Sequence, residues 1–137
     1  MSILLAAFGA IGGDRISLSN VSVLAIGATS QTATYTLESD GDVISATTDG
    51  GSVDEGDWIA PKANAPSDYE CRVTLDSGDT PTTGTLNSWL ALTSDRSWTL
   101  SVVASGNSAQ CSLTVEIRKG SGPALASATV TLYAERF

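Results

Sequence analysis

The chain has 137 residues, of which 42% are apolar, with a formal net charge of −8 and no histidine. That length and apolar content suit one self-supporting domain, and the acidity opposes nucleic acid or an anionic membrane surface, both of which call for a basic footprint. Without imidazole the commonest general base and metal ligand are missing. Ser-His-Asp, Cys-His and His-zinc chemistry are therefore excluded within this chain, and no catalytic residue, cofactor or metal site is expected.

Residues 1–13 open the chain with Ile3, Leu4, Leu5 and Phe8 among small residues. The run is too short to cross a bilayer as a helix, which takes about 20 residues. No positive region precedes it, since the first basic residue is Arg15, so a secretory signal is not expected. It reads either as a first element closing the core or as an apolar arm that docks on another subunit. Gly9, Gly12 and Gly13 would hinge the arm to a single domain spanning residues 14–137. On the arm reading, Ile3, Leu4, Leu5 and Phe8 form the subunit interface.

Strands follow. Ile16 to Ile26 alternates apolar and polar residues up to a break at Gly27-Ala28-Thr29, and Ala33, Tyr35 and Leu37 share one face. Asp40-Gly41 has hairpin chemistry and leads into Val43–Ala46. Thr47 to Ser67 is irregular, with Gly50-Gly51, Gly56, Pro61 and Pro66, and holds Asp57-Trp58-Ile59 as a short strand or an anchored loop. Trp58 is the best candidate there for an exposed ligand contact. Glu38, Asp40, Asp42, Asp49, Asp54, Glu55 and Asp57 cluster nearby, but their spacing matches no complete calcium loop, so they read as solvated turns.

From Tyr69 to Leu132 the alternation is almost unbroken: Tyr69–Leu75, Trp98–Val102, Cys111–Arg118 and Ala126–Leu132. A period of two over such runs buries one face only if the backbone is extended. Turn signals recur every 8–12 residues, as at Asp76–Pro81, Ser105-Gly106-Asn107 and Gly120–Pro123. The expected fold is all-β: an antiparallel β-sandwich of seven to nine strands.

Serine and threonine make 35 of the 137 residues and lysine only two, so the solvent faces are hydroxyl-rich and the sheet edges call for cover by loops or partners. Cys71 and Cys111 sit at inward phases, either as an inter-sheet disulfide or as two packed thiols. Trp98 falls in phase with the core and Trp89 is expected to cap the sandwich. Arg72, Arg96 and Arg118 are expected to pair across strands with Glu70 and Glu116.

The stretches Ser67-Asp68-Tyr69-Glu70-Cys71-Arg72, Trp89, Leu92 and Arg96-Ser97-Trp98-Thr99-Leu100, with the ending Leu113–Arg118 and Leu125–Leu132, resemble small structural proteins of tailed-bacteriophage virions. The resemblance covers about residues 55–134, and Cys71 stands where such proteins carry an aliphatic residue. It implies an immunoglobulin-like sandwich in the tail or tail tip, present in many copies and assembled in the host cytoplasm, where thiols stay reduced. Its partners would be other virion proteins, copies of itself included. Alternatives are a capsid decoration protein, or a carbohydrate- or receptor-binding module meeting a host-surface glycan through Trp58.

Overall fold

The computed structural model describes residues 18–37, 43–48, 52–53, 56–57 and 68–137. Two sheets pack face to face. One has six strands in the order β4-β1-β10-β9-β6-β7, built from β1 (Val21–Gly27), β4 (Ser52–Val53), β6 (Tyr69–Gly78), β7 (Leu90–Ala91), β9 (Asn107–Lys119) and β10 (Ala124–Arg136). The other has four, β5-β3-β2-β8, from β2 (Gln31–Leu37), β3 (Val43–Thr48), β5 (Gly56–Asp57) and β8 (Arg96–Val102). The all-β sandwich expected from the alternation is present, with ten strands, three of them only two residues long.

The inward rows are those the period of two selects. Val21, Val23 and Ala25 meet Ala33, Tyr35 and Leu37, and the long strands add Cys71 and Val73, Leu113, Val115 and Ile117, and Val130 and Leu132. Trp98 lies among them with no exposed surface. Its ring is 6.3 Å from that of Tyr35, tilted by 41°. Each fully buried aliphatic or aromatic side chain contributes about 1.5–3 kcal/mol, which is the main force holding the layers together.

One pairing departs from the antiparallel expectation. β1 runs parallel to β10, from Val21 opposite Val130 to Gly27 opposite Arg136. Alternation shows which residues turn inward and is blind to strand direction, so nothing local in Val21–Gly27 distinguishes the two. The physical cause lies in the connection: Ala28–Ser30 carries the chain from β1 straight to β2 in the opposite sheet, leaving β1 free to lie beside the C-terminal strand. The antiparallel pairs β10–β9, β9–β6, β2–β3 and β2–β8 are as expected.

A second departure is the segment between β6 and β7. β6 runs past its expected turn to Gly78, aided by a register shift between Leu75 and Ser77. Residues 79–89 then cross to the other sheet and return. Thr82 N–H donates to Thr99 O (2.6 Å) and Thr99 N–H to Thr83 O (3.1 Å), covering the outer edge of β8. Trp98 Nε1–H donates to Thr85 O (2.8 Å), Leu86 packs on the core, and Asn87 N–H returns to Val73 O (2.8 Å). This strap closes one open side of the sandwich and supplies the edge cover that scarce lysine leaves to loops.

The inter-sheet disulfide is not formed. Cys71 and Cys111 lie on neighbouring strands of one sheet, both buried and free. Cys71 faces Ile117 while Cys111 faces Gly78, seven residues farther along β6, which is roughly 23 Å at strand rise. A disulfide requires Cα atoms within about 7 Å. Desolvation by burial pushes the Cys71 thiol up to about 11, with the nearby Arg96 charge opposing it. The folded state therefore keeps a proton that the unfolded chain releases near pH 9. Stability from this group is complete below that pH and declines as pH rises toward about 11. Native protein should show two free thiols by mass and alkylate only as fast as it opens, with reductant leaving Tm unchanged. Rapid native labelling, or loss of Tm under reductant, would contradict the buried-thiol arrangement.

Candidate interaction faces

On the outer face of the four-stranded sheet, β2 and β8 present hydroxyls to one another. On β2 the outward residues are Thr32, Thr34 and Thr36, and opposite them on β8 stand Ser101, Thr99 and Ser97. Each pair is hydrogen-bonded across the strands, at 3.1, 3.2 and 2.9 Å respectively. In the backbone register of β3, Ser45 pairs with Thr36 and Thr47 with Thr34. Such pairs stabilise a sheet by a few tenths of a kcal/mol up to about 1 each and hold the hydroxyls in fixed rotamers. No charged residue occupies these paired positions.

The outer face of the six-stranded sheet is different. Glu70 stands opposite Arg118, and Arg72 opposite Glu116, so the two strands carry their charges in opposite order. Arg118 Nη2 lies 2.7 Å from Glu70 Oε1, and Arg72 Nη2 lies 2.9 Å from Glu116 Oε1. Both Nε–H groups donate to the same oxygens, at 2.8 Å and 3.0 Å. Across this ladder lies the indole of Trp89, with the guanidinium carbon of Arg118 4.0 Å and that of Arg72 4.6 Å from its ring. The expected arginine–glutamate pairing is thus present for two of the three arginines. Arg96 instead donates from Nε to Ala91 O (2.9 Å), fastening β8 to β7.

Trp89 does not cap the sandwich. The adjoining Leu92 enters the core, its N–H bonded to Tyr69 O (3.0 Å), whereas Trp89 stays partly exposed on the outer face. The strap delivers it there. A tryptophan beside a turn carries no phase of its own, so its sequence neighbours gave no sign of its side. The alternation of Glu70 with Arg72 and of Glu116 with Arg118 was the available signal, because stacked guanidiniums invite an aromatic cover.

Farther along the same face, Leu24 and Ile26 are each 37% exposed, and Leu24 lies opposite Tyr133, whose hydroxyl donates to Glu135 Oε1 (2.6 Å). At the β6 register shift an open depression of about 370 Å³ is lined by Ser77, Gly78, Asp79, Gln110, Cys111 and Ser112. Asp79 Oδ2 is occupied by Gln110 N–H (2.9 Å), and the thiol turns inward. With no histidine in the chain, no imidazole is at hand to activate that sulfur. Among the described residues, no three His, Cys, Asp or Glu side chains gather where they could hold a metal ion, and no helix is long and apolar enough to cross a membrane.

Ile3, Leu4, Leu5, Phe8 and Trp58, the interface and ligand candidates of the sequence, lie outside the described residues. So do the acidic loop positions, apart from the backbone of Asp57 in β5.

No protein-family model, curated protein or solved structure matches the chain.

Proposed function

We propose that this chain is a non-catalytic structural component of a tailed-bacteriophage virion, placed in the tail or tail tip, that docks through residues 1–13 and presents an immunoglobulin-like sandwich. The observation that carries the contact function is the uncharged hydroxyl face formed by β2 and β8. On a chain of net charge −8, it is a surface where like copies or other acidic virion proteins would meet without bringing like charges into direct contact. The sequence resemblance over about residues 55–134 supports the virion assignment.

Strand order supports the immunoglobulin-like reading. β2 and β8 are neighbours in one sheet, while β6, β9 and β10 are neighbours in the other, with β7 on the outside of β6. That is the B-E and C-F-G arrangement of variable-type domains, with β7 in the place of C′. The β3–β5 extension beside β2, and cysteines on adjacent strands of one sheet, are this chain's own features.

Mass spectrometry of purified particles tests the proposal, and the chain is expected at a fixed copy number per particle. Deleting residues 1–13 should leave a soluble domain with near-native Tm that no longer joins particles. If the chain is absent from purified particles, or if the truncated chain unfolds, the arm-docked virion assignment fails.

A further inference from the structure

We infer that the Trp89 platform on the outer face of β6 and β9 is a binding site for a neutral pyranose sugar. This goes beyond a structural role and does not depend on it. The indole is held in place before any ligand arrives. The guanidinium carbons of Arg118 and Arg72 lie 4.0 Å and 4.6 Å from its ring centre, and each guanidinium is fixed to a carboxylate by two contacts. A stacking surface whose rotamers are already set avoids much of the ordering cost of binding.

Charge selects the ligand class. Arg72 and Arg118 balance Glu70 and Glu116, so the platform is neutral within a chain of net charge −8. An acidic sugar or a phosphate would find no uncommitted cation among the described residues of the platform and would meet the long-range repulsion of the whole chain. A cationic ligand would meet an indole whose π density two guanidiniums already draw on, a penalty that a neutral C–H face does not carry. A neutral sugar offers what the site accepts: an apolar C–H face for the indole and hydroxyls for the rim. Among the described residues the guanidinium contacts on both carboxylates fall on Oε1, and Oε2 of each is the acceptor that a sugar hydroxyl would use. Both carboxylates and both guanidiniums are partly exposed, with side-chain accessibilities of 19–37%, which leaves them within reach of a ligand on the indole. Aromatic body and polar rim together make the amphipathic contact that sugar rings require.

The test uses the full chain on an array of neutral and acidic oligosaccharides. Titration with cellobiose, lactose and chitobiose, each to about 10 mM, then follows by two-dimensional NMR of the tryptophan indole and arginine Nε–H groups. At least one neutral sugar is expected to bind, moving the resonances of Trp89, Arg72 and Arg118 first. Trp89→Ala should weaken that binding by about thirtyfold or more, as loss of a dominant aromatic contact does. Trp89→Tyr, which keeps a stacking ring, should stay within about fivefold of the native chain and controls for loosening of the strap. Binding of acidic glycans only, no binding of any neutral sugar, or resonance shifts confined to another face would each overturn the assignment. None of these outcomes bears on whether the chain is found in particles.

Discussion

Gly84→Ala is expected to lower stability by about 3 kcal/mol or more, a fall in Tm of roughly 10 °C for a domain this size. Gly84 has φ +110°, a conformation open to glycine and strained for any residue with a Cβ. The added methyl would collide with Cδ1 of Trp98, and would sit 2.7 Å from its Cγ and 2.8 Å from Ser97 O. Trp98 cannot yield. It is fully buried, packed on Tyr35 and tied through Nε1 to Thr85 O in the same strap. Gly106→Ala is the control, because its φ of +79° carries a similar backbone penalty while nothing lies within 4 Å of the new methyl. It should cost about 1 kcal/mol, and the difference between the two variants in urea melts isolates the packing of strap on tryptophan. Equal losses would mean that the strap does not seal the sandwich.

The second large effect separates two adjacent residues. Val23→Asp should unfold the chain or cost more than about 4 kcal/mol, because the carboxylate would be buried without a partner. Val23 is fully buried in the centre of β1, opposite Leu132 of β10 and Val53 of β4. Leu24→Asp, one position on, should change stability by about 0.5 kcal/mol or less and improve solubility, since Leu24 is 37% exposed on the outer face. Circular dichroism melts of the pair read the register of β1 directly, because a one-residue slip would exchange the two outcomes. Similar losses at both positions would sink the assignment.

These two sites mark the boundary of what alternation reveals. The inward phases of β1, β2, β6, β8, β9 and β10 were legible residue by residue, because each buries one row against the opposing sheet and a slip would turn that row to water. Trp98 was legible for the same reason. The parallel mate of β1 was not, since strand direction is set by how the chain crosses between sheets and Val21–Gly27 reads alike either way. The strap was hidden as well: its asparagine, glycine and threonines read as turn chemistry, and only the fold shows that they follow the edge of β8. At the candidate sites, the charge ladder of Glu70, Arg72, Glu116 and Arg118 followed from spacing alone, apart from Arg96, which turned to a backbone carbonyl. The place of Trp89 required knowing where a loop residue lands, which carries no period. Cysteine phase was read correctly too, but phase gives the face and not the distance along it, and distance is what rules out the bond between Cys71 and Cys111.

The side-by-side placement of β1 and β10 has a mechanical meaning. Because both strands point the same way, the backbone leading into Val21 and the backbone leaving Arg136 lie at opposite ends of the seven matched positions. Tension applied between Leu18 and Phe137 would therefore load the strand pair lengthwise, so that its cross-links must give way together and cannot peel apart one after another. A domain tethered at both ends in this way would resist pulling far better than its modest size suggests.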